Sequence, residues 1–223
     1  MQLLLLRLEG PLQSWGERSS WDTRDTALIP SKSGIIGLIA CCMGIKRGDL
    51  KIREMSQNLH VAIRVDKPGI VMTDYQTVQG MPIIYGSNGK PRVSGNTIVT
   101  PRDYLQDASF LVAIYGEKGL LEECNKSLLE PVWTPYLGRK NCTPSKPVYP
   151  VLTDQFQTVD EAFELLDASG GNNRMVEAEY EDNNGEIVRP DSVISFESRE
   201  FQSRSVKRKN VFIKGGIHVP YAS

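Results

Sequence analysis

The sequence predicts an α+β protein built on a ferredoxin-like (RRM-like) β-α-β-β-α-β domain. Three segments, at residues 3–8, 60–66 and 108–115, have the composition of strands. The first is an apolar run that predicts a strand buried on both faces, the second alternates, and the third is strongly apolar. Two helical segments, residues 29–45 and 118–129, follow the first and the third of these segments, and Asp49 is expected to cap a further short helix that runs through Asn58. When the insertions between them are set aside, this order of strands and helices is close to the ferredoxin-like one.

The first helix has an apolar body and a polar entrance. Ser31 or Ser33 can cap it, and no side chain from residue 34 to residue 43 is charged, so nearly every side must be covered. Its amino end combines unpaired N–H groups with two hydroxyls and Lys32, a combination that suits a phosphate. A core helix that is merely capped by serine explains the same residues, and both interpretations stay open.

The loop between the first strand and this helix carries aromatic and basic residues in alternation. Trp15 and Trp21 are interleaved with Arg18 and Arg24. Such a mixture is typical of a surface on which bases stack and phosphates are bound. Trp15 is equally well explained as a lid on the core.

An extended arm, at about residues 69–102, interrupts the domain. Residues 71–79 have strand composition, residues 86–89 form a turn-rich tip, and the chain returns through residues 92–99. Few of these positions could be buried. The arm is therefore predicted to be a projecting hairpin, and it belongs to a first domain that spans residues 1–130.

Residues 131–223 are predicted to form a β-rich C-terminal extension. Gly138 allows a turn that exposes backbone amides beside Arg139 and Lys140, an arrangement that favours phosphate binding. The tripeptide at 183–185, Asn-Asn-Gly, predicts a hairpin turn. Five acidic residues lie between Glu177 and Glu186, so this hairpin should avoid nucleic acid.

The last part of the chain reverses that charge. A single acid, Glu200, stands among six cations, which are Arg199, Arg204, Lys207, Arg208, Lys209 and Lys214. Phe201 and Phe212 are interleaved with them. A solvated basic face explains the pattern, but beside the acidic hairpin it suggests one side that faces anions and another that faces a protein partner.

Composition limits the classes of function. The chain has 223 residues, a net charge of −1 and 24% charged residues, so a nucleic-acid partner requires a local basic face. The four cysteines form no CxxC pair, and the apolar start is ended by Arg7 and Glu9, too early for a membrane helix. We expect a reduced, cytoplasmic protein without contact with a membrane.

The sequence favours binding over catalysis. Its two histidines, His60 and His218, have no obvious partner, and no HExxH, GxSxG or P-loop pattern occurs. The carboxylates show no spacing that suggests a two-metal site. We therefore expect neither a cofactor nor a metal.

Five blocks together resemble the CasD family, the type I-E CRISPR Cascade subunit of the repeat-associated mysterious protein (RAMP) superfamily. They are LRLEGPLQSWG at 6–16, PSKSGIIGL at 30–38, RDYLQDASF at 102–110, TPYLGRK at 134–140, and a last block that runs from FQSR at 201–204 to IKGG at 213–216. Each block alone is weakly specific. Five in the same order form a specific match.

The resemblance implies a modified ferredoxin-like fold in which the arm is a thumb hairpin. It implies a non-catalytic RNA-binding subunit that holds the five-prime handle of the CRISPR RNA and caps the backbone of the surveillance complex in antiviral defence. The implied protein partners are the backbone subunit, reached through the thumb, and the large subunit, with target DNA nearby. The RNA-binding residues that we predict are Gln13, Trp15, Ser31, Lys32, Ser33, Arg102, Tyr136, Arg139, Lys140 and Arg204.

The alternative is a metal-independent endoribonuclease that processes CRISPR repeat RNA, because relatives in another subtype use this scaffold in that way. Neither the arm nor the loop after the first helix contains a histidine. This difference argues against the nuclease.

Overall fold

Two antiparallel sheets organise the computed structural model, which describes residues 1–17, 24–79, 97–148 and 150–218. The strands are β1 (Leu3–Glu9), β2 (Leu12–Gln13), β3 (Leu59–Lys67), β4 (Ile70–Gln79), β5 (Thr97–Gln106), β6 (Ser109–Gly116), β7 (Val151–Thr153), β8 (Arg174–Glu181), β9 (Ile187–Ser195) and β10 (Glu200–Ile213). The helices are α1 (Lys32–Cys42), α2 (Leu50–Asn58), α3 (Lys118–Leu129) and α4 (Val159–Leu165).

The larger sheet has seven strands in the order β7-β1-β6-β3-β8-β10-β9, and all its neighbours are antiparallel. One face packs against α1, α2 and α3, and the other packs against α4. Strand β1 contributes to both cores, Leu4 and Leu6 to the first and Leu3 and Leu5 to the second. The predicted mixed α+β class and the burial of the first strand on both faces are confirmed.

The helices follow the predicted positions closely. Asp49 caps α2 by accepting a hydrogen bond from the backbone N–H of Lys51 at 2.9 Å, and α3 has the predicted bounds. Helix α1 is shorter than the predicted segment, because Ser31 caps it by accepting from the N–H of Gly34 at 3.2 Å. Among the described residues, no helix is long and apolar enough to span a membrane.

Strands β4 and β5 form the described part of the arm. They pair from Ile70 opposite Gln106 to Gln79 opposite Thr97, and β2 adds a third strand beside β5. The predicted tip at residues 86–89 lies outside the described residues. The ladder continues beyond the predicted end of the arm, which places Arg102 within a paired strand.

The predicted acidic hairpin is wrong in its pairing. The turn is present, since the N–H of Gly185 donates to the carbonyl of Asp182 at 2.9 Å, but β10 lies between β8 and β9. The acidic and basic stretches are therefore neighbours. Arg208 of β10 binds Glu179 of β8 at 2.9 Å, so this part of the basic segment is neutralised by the acidic strand, and the expected separation into an anion-facing side and a partner-facing side is not found there.

A buried polar cluster attaches the segment after α4 to the sheet. Asp66 lies 2.6 Å from the guanidinium of Arg64 and 2.5 Å from that of Arg7. Arg64 also donates to the carbonyl of Leu166 at 2.8 Å. Since Arg64 and Asp66 are fully buried, each charge depends on the other.

A second network of buried charges holds the amino end of α1 against β8, β9 and β10. Asp191 accepts hydrogen bonds from Nε and Nη2 of Arg204, at 2.6 and 3.0 Å, and from the backbone N–H of Lys32 at 2.8 Å. The Lys32 ammonium, in a side chain that is 2% exposed, lies 2.9 Å from Glu181. Because a lone buried charge is costly, these groups are stable only together.

Arg189 extends this network to the loop that precedes α1. Its guanidinium donates to Glu179 at 2.6 Å and to Glu17 at 2.7 Å. It also donates to the carbonyl oxygens of Ile29 and Pro30, at 3.2 and 3.3 Å. An arginine of β9 therefore fixes the chain where it enters the first helix.

The pKa of Asp191 lies below its ordinary value. Burial alone would raise this pKa, but the hydrogen bonds and charge of Arg204, then the charge of Arg189 and the N–H of Lys32, lower it by more. Folding thus favours the ionised carboxylate. Its stabilising contribution is present above the ordinary aspartate pKa of about 4 and is lost as the pH falls below that value.

We expect Asp191→Asn to lower the free energy of unfolding by about 3–5 kcal/mol at neutral pH, because it leaves Arg204 and Arg189 buried without this carboxylate. Urea unfolding measures the difference. The exposed Asp154→Asn is the matched control and should change little. The gap between wild type and the Asp191 variant should narrow as the pH is lowered from about 4, and equal losses for the two variants would contradict the assignment.

Candidate nucleic-acid interface

A cleft of about 1100 Å³ lies along one side of α1. Its walls come from three distant parts of the chain: residues 14–17 with Arg24, residues between 133 and 140, and the turn between β9 and β10. Helix α1 forms the floor with small side chains such as Ser33, Gly37 and Cys41. The cleft therefore joins segments that are far apart in the sequence.

Positive side chains dominate the charged lining of the cleft. The six cations are Arg24, Lys46, Arg47, Arg139, Lys140 and Arg199. Two carboxylates, Glu17 and Asp191, also border it, and both are bound to arginines of the buried network. The cleft is therefore a local basic surface on a chain whose net charge is −1.

Several arginines gather where the cleft meets β5. The pKa of Arg24 is lowered, first by burial and then by the positive charges of Arg102, Arg139 and Arg199. Arg24 and Arg102 are also joined by a backbone bridge between the loop and the strand. A bound anion would reduce the repulsion between positive charges held this close together.

A tight turn at Gly138 brings the predicted cations to the cleft. Gly138 has a φ of +88°, and a Cβ there would lie 1.6 Å from the carbonyl oxygen of Ser14, so only glycine fits. The next residue, Arg139, donates to the carbonyls of Asp103 at 3.0 Å and Arg24 at 2.9 Å. Arg139 thus holds the wall of the cleft together, and its carbonyl partners leave its positive charge unneutralised.

The structure brings six of the ten predicted RNA-binding residues to the cleft lining. They are Trp15, Ser31, Ser33, Tyr136, Arg139 and Lys140. Trp15 is only 1% exposed, and a Cβ on Gly34 would lie 2.7 Å from its ring, so of its two interpretations the lid on the core is the one observed. Trp21 and Arg18 lie outside the described residues.

The other four predicted residues do not line the cleft. Gln13 is fully buried, donates to the carbonyl of Ala108 at 2.8 Å and accepts from the indole of Trp15 at 3.0 Å. Lys32 and Arg204 belong to the buried charge network. Arg102 lies beside Arg24 in β5, and its Nε is buried without a hydrogen-bond partner among the described residues.

The helix end that suits a phosphate already holds an anion of the protein. The N–H of Lys32 donates to Asp191, and the hydroxyl of Ser31 accepts from the N–H of Gly34. The attraction between an anion and this end of α1 is therefore satisfied within the fold. The RNA contact of Ser31 stays a prediction, whereas the ammonium of Lys32 is buried and bound to Glu181.

Several residues of the cleft lining were not among the predicted RNA-binding residues, and Lys46, Arg47, Trp133 and Phe196 are four of them. Lys46 and Arg47 are exposed and follow α1 after three residues, so a basic pair just beyond an apolar helix was a signal that could have found them. Phe196 had no such signal, because it reaches the cleft only through the pairing of β9 with β10.

Both histidines lie outside the cleft lining, and each has an acidic neighbour, contrary to expectation. Nδ1 of His60 is 3.3 Å from Glu181, and its ring stacks on Tyr115 with centroids 5.3 Å apart. Nδ1 of His218 is 3.7 Å from Asp167. In the described part of the chain, no three His, Cys, Asp or Glu side chains are grouped to hold a metal.

Comparison with known proteins gives consistent matches. Residues 3–207 match the model of the family described as "CRISPR-associated protein (Cas_Cas5)". The chain is 36% identical over 158 residues to the "CRISPR system Cascade subunit CasD" of Escherichia coli (strain K12). The aligned region covers 66% of this chain and 69% of that protein.

Two solved structures match nearly the whole chain. One, described as "CRISPR RNA-guided surveillance complex", has a TM-score of 0.79 and 32% identity, with 95% of this chain and 90% of the other covered. The second, described as "Crystal structure of Cas protein", has a TM-score of 0.71 and 32% identity, with 94% of both chains covered. The resemblance carried by the five sequence blocks is confirmed: this chain belongs to the Cas5 family of CRISPR-associated proteins.

Proposed function

We propose that this protein is a non-catalytic, RNA-binding subunit of a type I-E CRISPR surveillance complex and that it holds the five-prime handle of the CRISPR RNA in the basic cleft. The observation that carries the proposal is the excess of six cations over two internally bound carboxylates along one groove. Membership of the Cas5 family supports the same assignment.

The cations of the cleft have different tasks in this proposal. Lys46, Arg47 and Lys140 are exposed, so they are suited to contact phosphates directly. Arg24 and Arg102 supply the concentrated charge at the end of the cleft that lies beside the arm. Gln13, Lys32 and Arg204 act indirectly, because their polar groups position the walls rather than line them.

The fold supports a wider role in assembly. The order β7-β1-β6-β3 agrees with a ferredoxin-like sheet. Its strand β7 comes from the predicted C-terminal extension, residues 131–223, whose other strands, β8, β10 and β9, continue the sheet beyond β3. The arm that starts with β4 and ends with β5 corresponds to the thumb, which would contact the backbone subunit that this protein caps. The large subunit and target DNA would lie near the same end of the complex.

The absence of catalysis is part of the proposal. A metal-independent ribonuclease needs a general acid and a general base close to the RNA. His60 and His218 bind Glu181 and Asp167 away from the cleft lining, so neither is positioned beside RNA that lies in the groove.

We expect the triple variant Lys46→Ala, Arg47→Ala, Lys140→Ala to bind the handle about tenfold more weakly or worse, because each residue supplies a phosphate contact. The probe is single-stranded RNA with the five-prime handle of the repeat from the same genome, measured by fluorescence anisotropy over a range of salt. The slope of log K against log salt should fall by about 2, at ~0.7 per contact. Arg139 is left intact, since its loss would also loosen the wall.

The matched control removes three exposed cations outside the cleft, Arg53→Ala, Lys118→Ala and Lys126→Ala. It has the same change in charge and should keep both affinity and salt slope. If both triple variants bind alike, the cleft is not where the RNA lies.

We expect no specific cleavage when the purified protein is incubated with end-labelled repeat RNA in the presence of EDTA. Wild type and the variant His60→Ala, His218→Ala should leave the same uncut RNA on a denaturing gel. A product of defined length that only the wild type forms would instead favour the endoribonuclease.

A further inference from the structure

The base of the arm is held by the loop that precedes α1. The N–H of Asp103 donates to the carbonyl of Arg24 at 2.8 Å, and the N–H of Arg24 donates to the carbonyl of Pro101 at 3.2 Å. This contact, between residues 24–25 and residues 101–103, is the junction of the arm. It is the place where β5 leaves the wall of the cleft.

One guanidinium group reaches both sides of the junction. Nη1 of Arg139 donates to the carbonyl of Asp103 at 3.0 Å, on the arm. Its Nη2 donates to the carbonyls of Arg24 and Asp25, at 2.9 and 3.1 Å, on the loop. Because these donors lie in one rigid plane, they set the distance between the loop and the strand. A lysine ammonium on its flexible chain lacks this geometry.

The guanidinium of Arg139 is itself held by Tyr104, the residue of β5 that follows Asp103. The guanidinium carbon lies 4.8 Å from the centroid of the Tyr104 ring, a cation–π distance. Tyr104 is buried in the core that contains α1, and its hydroxyl accepts from the side-chain amide of Asn141 at 3.0 Å. The arm is therefore anchored to the core and to the turn after Gly138 by adjacent residues of one strand.

A small rotation at the junction would be amplified along the arm. From Asp103 to Thr97, the described end of β5, the strand extends about 20 Å. A rotation of about 10° at the base would displace that end by about 3.5 Å, roughly the spacing of neighbouring residues in a strand. The contacts at the base therefore decide where the arm points.

The arm carries a surface whose direction matters. Tyr75, Val71 and Val99 are 72%, 48% and 40% exposed. Tyr75 lies four residues after Val71, and Val99 pairs with Thr77, so the alternation of side chains along the strands places all three on one face. An exposed apolar face of this kind is typical of a protein interface, in line with the proposed contact between the arm and the backbone subunit.

We propose that Arg139 is a positioning residue that fixes the direction of the arm against the wall of the cleft, and that it does not bind an RNA phosphate. The inference rests on the proposed function, because it takes the cleft as the RNA site and the arm as the contact with the backbone subunit. Three of the five N–H donors of the guanidinium are already used within the fold. The phosphate contact at this turn is left to its neighbour, the exposed Lys140.

Two substitutions separate the two roles of Arg139. Arg139→Lys keeps the charge and loses the planar guanidinium, whereas Arg139→Met loses both. Hydrogen exchange of the backbone amides of Arg24 and Asp103, measured on the protein alone, reports the opening of the junction. Both variants should raise these exchange rates about tenfold or more, because hydrogen bonds from a charged donor are lost. The amide of Val112, in the middle of the large sheet, should exchange as in wild type.

The second measurement adds the ligands. Handle RNA is bound first, with the salt dependence followed by fluorescence anisotropy, and the purified backbone subunit from the same genome is then titrated. Both variants should keep the wild-type slope of log K against log salt, since no phosphate contact is lost. Both should bind the backbone subunit about tenfold more weakly. Arg53→Lys and Arg53→Met, at an exposed arginine of α2, are the matched controls and should behave as wild type throughout.

The outcomes distinguish this inference from the function on which it rests. If Arg139→Lys exchanges and docks like wild type while Arg139→Met lowers the salt slope by about 0.7, Arg139 binds a phosphate and the RNA-binding function stands without the positioning role. If the exchange rate rises equally at Val112, the substitution only destabilises the domain, and the inference is overturned. If wild type with bound RNA does not dock on the backbone subunit, the proposed function fails at the arm, and the exchange rates still decide whether Arg139 fixes its direction.

Discussion

The contact on which this structure most depends is the bond between Asp191 and the amino end of α1. That carboxylate joins the backbone of Lys32 to the guanidinium of Arg204, and Arg189 beside it reaches Glu179 and Glu17. None of these charges is stable in the interior alone, because burial removes the water that would solvate it. The network therefore requires the loop before α1, the helix itself and three strands of the sheet to meet at one place.

The same network explains why the cleft is basic. Its acids and bases balance one another beneath the amino end of α1, so the two carboxylates at the cleft are already bound. Lys46, Arg47 and Lys140 line the cleft as exposed side chains and lie outside that network. The arrangement of β8, β9 and β10 therefore pairs the buried charges with one another and leaves the lining of the cleft with an excess of positive charge.

Glycine positions make the close approaches that shape the groove. Gly34 accepts the ring of Trp15, Gly138 lets the turn pass the carbonyl of Ser14, and Gly37 allows Phe196 to reach the helix. Each lies in one of the blocks that resemble the CasD family or in the apolar helix. These glycines matter because they leave room for another group. The sequence alone does not show this, because the group that takes up the room comes from a different part of the chain.

The sequence by itself determined the elements and the family. Apolar runs, the capping residues Ser31 and Asp49 and the turn at Gly138 are local signals, so strands and helices could be predicted from neighbouring residues. The five blocks carried the resemblance that the comparisons confirm. Part of the cleft could also be predicted from the sequence, because Arg139 and Lys140 lie next to the turn at Gly138.

Only the tertiary structure decided which charged groups face inward. Lys32 and Arg204 are residue types that bind phosphate, yet acids of β8 and β9 neutralise them. No local pattern indicates this, because the partners of Lys32, Glu181 and Asp191, are 149 and 159 residues away, and Asp191 meets Arg204 only through the pairing of β9 with β10. The insertion of β10 between β8 and β9 is equally non-local, because strand order depends on which side chains pair across the sheet. Interactions between residues close in the sequence determine the helices and strands, whereas the pairing of buried charges determines which of these elements lie side by side.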